Sequence, residues 1–327
     1  MERILLLPGD GQGPEMVAAA GLVIGAATDQ VELVHGDLGF SAYEKYGEPL
    51  PYETLDLVGK CRVAISGRTS VYGEGDSARS PLDVLMSQMD FFAKSRTFRS
   101  LADDIGTPGI DATVWGSNMN PETDISETPE VDGITISKYV RSDFYSRMMG
   151  AALTDMELRG KTRAVCIAKD DLFPQTSGMF YEAFDALFAA EGRDTRHCNV
   201  VKWLERAVSD PADYEFLVVA DLYSSVVESI FAGRTGGDFL APTRYVGEDS
   251  VLILPGIRDG PDGANEDMSP ASAVVSAAMA LAEVGLREEG EAVLRALRAA
   301  VADGERASDL GGTLSAGEFA DAVVSRL

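Results

Sequence analysis

Leu6-Leu7-Pro8-Gly9-Asp10-Gly11-Gln12-Gly13-Pro14-Glu15-Met16 is the stretch of this 327-residue chain that decides its fold. The apolar run from Ile4 to Leu7 predicts a buried strand. Three glycines and two prolines then force a tight turn, and a helical pattern opens at Glu15 and continues through Ala18-Ala19-Ala20. Further strand-like runs lie at 31–35, 61–66, 113–115, 133–137, 162–168, 216–220 and 251–254, after the first at 3–7. Helical stretches fall between them at 142–158, 177–190, 203–208, 271–284 and 290–302. Strands alternating with helices of this length argue for an α/β protein with a mainly parallel central sheet. The segment 120–132, rich in proline, glycine and acids, reads as a loop or as an edge hairpin able to meet a second subunit. Stretches 232–238 and 256–269 read as long loops, which in compact proteins often carry function.

The formal net charge is −25. So acidic a surface repels nucleic-acid phosphates and anionic membranes, and neither is expected as a partner. A small-molecule anion would have to enter a locally basic pocket; the same charge also serves plain solubility. No uninterrupted apolar run is long enough to span a bilayer. The first residues show no basic region followed by an apolar stretch and a cleavage site, so the cytoplasm is the expected location. Cys61 and Cys166 sit in strand-like runs and read as small buried apolar residues. His35 and His197 lack the spacing of a zinc site and read as structural or surface residues.

The opening turn resembles that of the isocitrate/isopropylmalate dehydrogenase family, the metal-dependent β-decarboxylating dehydrogenases. Three further segments resemble the same family in the same order. They are Met89-Asp90-Phe91-Phe92-Ala93-Lys94-Ser95-Arg96, Pro211-Ala212-Asp213-Tyr214-Glu215-Phe216-Leu217-Val218-Val219, and Asp309-Leu310-Gly311-Gly312 followed by Phe319. The resemblance covers nearly the whole chain and implies an isopropylmalate-dehydrogenase-like two-domain fold. Its first, cofactor-type domain would comprise 1–99 and 238–327, and its second 100–237, with a dimerisation arm near 112–137. It also implies a homodimer whose active sites are shared between subunits.

Members of this family oxidise a 2-hydroxy acid by hydride transfer to a nicotinamide and then decarboxylate the product, with a divalent metal held by aspartates stabilising the enolate. Aligned through Pro211–Val219 without a gap, the three aspartates correspond to Val201, Ser225 and Ser229. Asp221 and Glu228 are possible substitutes, but Ser225-Val226-Val227-Glu228 also has the spacing of a helix capping box. Of three arginines that would grip substrate carboxylates, one is matched by Arg96, while Met86 and Trp115 stand at the other two positions. Arg96 reads equally as an anion contact or as a structural arginine. The family's proton-handling lysine corresponds to Lys169, and its tyrosine falls nearest Glu122. Lys169, followed by Asp170-Asp171, reads as a proton donor at a strand end or as part of a solvated ion cluster.

For the cofactor, the run Leu254–Gly263 keeps Pro255, Pro261 and Asp262 of the family's adenosine loop and loses its histidine. Gly260, Pro261 and Asp262 are the expected cofactor-binding residues, and a carboxylate at Asp262 favours NAD over NADP; Gly-Pro-Asp-Gly is also an ordinary turn. Ser80 falls where members place a Ser or Thr near nicotinamide and substrate, and Ser66–Gly73 replaces a Gly-Gly-Pro turn. Losing one good electrostatic stabiliser costs about 3 kcal/mol of barrier, and here several are replaced together. Two functions from different classes are therefore expected. One is a metal-independent NAD-type oxidoreductase acting on a small hydroxy acid, with Lys169 catalytic, Arg96 and Ser80 at the substrate, and no divalent metal. The other is a catalytically inactive homologue acting as a binding or partner subunit.

Overall fold

The computed structural model describes residues 1–73, 79–118, 125–259 and 266–327. They form two compact units, one of Met1–Phe91, Phe98–Gly109 and Ala232–Leu327, the other of Phe92–Thr97 and Ile110–Phe231.

The first unit opens with β1 (Glu2–Leu7), α1 (Gly13–Ala27), β2 (Val31–His35), α2 (Phe40–Tyr46), α3 (Tyr52–Cys61), β3 (Val63–Ser66) and α4 (Pro81–Gln88). Its later part holds β11 (Thr243–Val246), β12 (Val251–Leu254), the short pair β13 (Ile257–Asp259) and β14 (Glu266–Met268), α9 (Pro270–Glu283), α10 (Arg287–Ala302) and α11 (Ala316–Val324). The strand order is β2-β1-β3-β12-β11, parallel throughout except for β11. Successive residues of a strand face opposite sides of a sheet, and β1 is apolar on both. Ile4 and Leu6 join the core made with α1, α9, α10 and α11, while Leu5 and Leu7 join the one made with α3 and α4. A strand covered on both faces reads as a continuous apolar run, which is why the opening is so legible. At the turn, Gly9 has φ +67° and a Cβ there would lie 2.4 Å from the Arg68 carbonyl oxygen. A Cβ on Gly13 would lie 2.3 Å from that of Pro8. Neither position admits a side chain.

The second unit contains most of β4 (Ala93–Arg99), then β5 (Asp111–Ser117), β6 (Ile125–Pro129), β7 (Ile134–Lys138), α5 (Ser142–Leu158), β8 (Arg163–Ala168), α6 (Pro174–Phe184), β9 (Asp194–Asn199), α7 (Val200–Ala207), β10 (Phe216–Val219) and the start of α8 (Ser224–Thr235). The order is β4-β5-β10-β8-β9, with β5, β10, β8 and β9 parallel. Asn118 N–H donates to the Phe92 carbonyl at 2.9 Å, and the Thr97 and Thr113 hydroxyls lie 3.2 Å apart, so β4 runs antiparallel to β5. The helix expected at 177–190 begins earlier, at Pro174, and passes into a π-helical turn at Asp185–Ala189. That expected at 203–208 starts at Val200, because the Asn199 side chain accepts from Val201 N–H at 3.0 Å and caps it. Within the 120–132 stretch the hairpin reading holds for the described part: β6 pairs antiparallel with β7. Strands β9 and β11 had no apolar run to announce them; β9 is a mostly polar strand with β8 as its pairing partner.

Cys61 and Cys166 are buried, as the sequence indicates, and burial pushes both thiols up. Among the described residues no helix is long and apolar enough to cross a membrane.

Candidate functional site

In open parallel sheets the ends of the strands at their carboxyl side form the crevice where ligands bind. In the second unit Val218 of β10 lies beside Trp115 of β5 and Cys166 of β8. Ser117, Asp221 and Lys169 therefore leave the sheet at one edge. Since β4 is antiparallel, its beginning, with Lys94, reaches the same edge. The start of α8 packs onto it: a Cβ on Gly116 would lie 2.8 Å from Ser224 Cβ.

Asp221 is the centre of one cluster. The Ser117 hydroxyl donates to its Oδ1, the Tyr145 hydroxyl donates to Oδ2 at 3.3 Å, and Lys138 Nζ lies 2.7 Å from Oδ2. The Asp221 and Lys138 side chains are only 9% and 17% exposed, so the ion pair is strong relative to a surface pair. These residues, with Arg141 and Phe144, line a recess of about 40 Å³, room for a few water molecules. Burial first, and then the charge of Asp221, holds the Tyr145 phenol far above its ordinary range, so it stays a donor.

A second cluster joins β4 to α8. Glu228 is buried, and its Oε1 and Oε2 face Lys94 Nζ and Arg96 Nη1, each at 3.5 Å. This corrects the capping-box reading of Ser225 and Glu228. The helix already begins at Ser224, and the Glu228 carboxylate turns to two cations of a distant strand. Lys169 forms a third pair, its Nζ 2.5 Å from Asp171 Oδ1, while Asn199 Nδ2 donates to Asp170 at 2.6 Å and to Asp171 at 2.8 Å. The Lys169 hydrogen bond, chiefly, holds the Asp171 carboxyl below its ordinary value.

Lys169 follows the carboxyl end of β8, whereas Arg96 lies buried within β4 against Glu228. Ser80 belongs to the first unit, where its hydroxyl lies 2.8 Å from that of Thr69 and caps α4. Gly260, Pro261 and Asp262 lie outside the described residues, as does Glu122. Trp115 is fully buried and donates through Nε1 to Asp155 at 3.0 Å. Met86 packs with the α3–α4 core. Val201 is exposed, and Ser229 Oγ donates to the Ser225 carbonyl at 2.7 Å. One apolar side chain and two serines, one hydroxyl already committed, do not fit a divalent ion that prefers carboxylate oxygens. His197 stacks on Tyr181, ring centroids 4.1 Å apart, with Nε2 2.9 Å from Asp185, a structural placement.

Sequence reasoning missed Ser117, Lys138 and Tyr145. Tyr145 shares the buried face of α5 with Met148, Met149 and Met156 and so reads as core. Lys138 ends an exposed strand with no local signal. Also missed was Asp10 in the first unit, which accepts from Phe40 N–H at 2.5 Å, Ser70 N–H at 2.7 Å and the Tyr72 hydroxyl at 3.1 Å. Burial, and then that hydrogen bond, raises the Tyr72 phenol to about 12.

A two-unit α/β frame on mainly parallel sheets, opened by the glycine turn, is that of the β-decarboxylating dehydrogenases. Residues 3–323 match the isocitrate/isopropylmalate dehydrogenase family, and the chain belongs to it. It is 25% identical to the 3-isopropylmalate dehydrogenase of Methanothermobacter thermautotrophicus, over 99% of this chain and 98% of that protein. It is 26% identical to a mitochondrial regulatory subunit of NAD isocitrate dehydrogenase from Arabidopsis thaliana, over 99% of this chain and 89% of the relative. The solved isocitrate dehydrogenase of Methylococcus capsulatus, 24% identical, shares the fold with a TM-score of 0.85, covering 100% of this chain and 99% of that one.

Proposed function

We propose that this chain is an NAD-type oxidoreductase acting on a small hydroxy acid without the divalent metal used for oxidative decarboxylation. The observation that carries the reading is the donor set. Val201, Ser225 and Ser229 stand where the family resemblance places three aspartates, and the two candidate substitutes, Asp221 and Glu228, are each engaged by cations. NAD, when bound, supplies the hydride acceptor. Gly260, Pro261 and Asp262 would hold it, the Asp262 carboxylate meeting the ribose hydroxyls and disfavouring a 2′-phosphate. Arg96 and Ser80 would bind and orient the substrate. Lys169 Nζ, paired with Asp171, would be the proton donor to the reacting oxygen in the reducing direction, where NADH returns the hydride. We further propose a homodimer. Ile134 and Ile136 of the β6–β7 hairpin are 65% and 69% exposed, apolar residues on a two-stranded ribbon that suit pairing with a second copy.

NADH formation from a panel of hydroxy acids, measured with and without a chelator, tests the reading. Turnover is expected to survive chelation and to require Lys169. Loss of turnover on chelation would overturn metal independence, and the absence of any thermal shift with NAD would overturn the oxidoreductase reading. The second reading is an inactive partner subunit. It is supported by the whole-length likeness to a regulatory subunit and gains if no dinucleotide binds.

A further inference from the structure

We propose that the Lys138–Asp221 ion pair is a latch that fastens the β6–β7 hairpin to the carboxyl edge of the second unit and so fixes how the apolar face of the hairpin is offered. The inference rests on neither the oxidoreductase nor the homodimer reading. In both strands of the hairpin every residue is exposed except Ile125 and Lys138, which pair across its base. Side chains alternate along a strand, so Ile134, Ile136 and Lys138 share one face. The two isoleucines are 65% and 69% exposed. The Lys138 side chain is only 17% exposed, and its Nζ reaches Asp221 at 2.7 Å. Among the described residues, this pair is the one hydrogen bond or ion pair that joins 125–138 to the rest of the chain.

The receiving side is firm. Asp221 also accepts from the Ser117 hydroxyl, at the end of β5, and from the Tyr145 hydroxyl of α5 at 3.3 Å. Ser117 and Tyr145 are buried, so Asp221 keeps two donors when Lys138 leaves. The moving side has room. Residues 138–141 carry the chain from β7 to α5 and, with Phe144, line the recess of about 40 Å³. Protein interiors are close-packed, and an opening of that size beside the segment gives it a place to shift. α5 is held beyond it, through buried Tyr145, Met148 and Met149 and the edge-on contact of Phe144 with Phe92 at 6.2 Å. The pair is mostly shielded, so salt screens it little. Without it the hairpin keeps only its own ladder, and a lone two-stranded ribbon is marginal in water. Order in the hairpin and the charge balance at the edge are thereby linked, and whatever steadies one steadies the other.

Hydrogen exchange of the full chain, read by mass spectrometry at several protein concentrations, tests the proposal. In the wild type, peptides from 125–138 are expected to be protected at every concentration. In Asp221→Asn, which keeps the shape and removes the charge, they are expected to exchange about tenfold faster or more. Peptides of β8 and β10 should stay protected over the same interval. Unchanged hairpin exchange in the variant overturns the proposal. So does exchange that rises in β8 and β10 in step with the hairpin, since the pair would then prop up the whole unit. Wild-type protection that vanishes on dilution also overturns it, because a second copy and not the latch would be its source. Should Asp221→Asn fail to fold, Lys138→Met, which leaves Asp221 its Ser117 and Tyr145 donors, decides by the same readings.

Discussion

Two regions of the molecule use polar side chains differently. Around the opening turn and the start of α9 in the first unit, they serve the backbone: Asp10 gathers the N–H groups of Phe40 and Ser70, Gln12 accepts from Met268 N–H at 2.8 Å, and Asp309 accepts from Ala271 N–H at 3.0 Å. At the carboxyl edge of the second, they serve one another, as Lys138 with Asp221, Lys94 and Arg96 with Glu228, and Lys169 with Asp171. Groups that hold backbone define a shape. Groups that hold each other set a local charge balance, which is what a ligand meets.

The contrast is broken most strongly by Asp221→Ala. It strands Lys138 in a largely buried place, and removing one partner of such a pair costs about 3–5 kcal/mol, read as a lowered midpoint in urea. A loss under ~1 kcal/mol would show the pair to be solvent-screened. Asp10→Ala comes next. It frees two N–H groups and a phenol, and the loss of hydrogen bonds to a charged group is expected to cost about 2 kcal/mol, measured the same way.

A smaller effect sharpens the role of Asp309, which accepts from the Ser269 hydroxyl and caps α9. Burial raises its carboxyl above the ordinary 3.8. The folded state therefore prefers the protonated acid, and its contribution falls as pH rises from 3.8 through the raised value. Asp309→Asn removes that dependence and should flatten the stability–pH curve in this window; an unchanged slope would exonerate Asp309. The smallest effect on stability belongs to Lys169→Ala, whose partner Asp171 is exposed. Its melting temperature should stay that of the wild type while NADH formation disappears, and surviving turnover would remove Lys169 from the reaction.

The fold was legible where local chemistry is decisive. Gly9 and Gly13 are demanded by backbone geometry, and the continuous apolar run of β1 follows from burial on both faces. Site residues were legible only in part. Arg96 and Lys169 were proposed from motif position, and the structure places each in an ion pair of the second unit. The role of Glu228 was misread because a Ser-x-x-Glu spacing satisfies the capping rule by itself, whereas its partner Arg96 lies 132 residues away. Lys138 and Tyr145 escaped for the same reason, since what joins them is Asp221, a partner in another element. Strand β9 escaped because its polar residues lack the alternation that burial imposes.

Asp10 also bears on the order in which the molecule assembles. Its bonds reach residues 30, 60 and 62 positions away. Chain loops of that size must close before the glycine turn gains its last fastenings, and loop closure comes at an entropic cost that local contacts do not carry. Mutations of Asp10 should accordingly speed unfolding more than they slow folding. The stretch most easily recognised in the sequence is then among the last to become fixed.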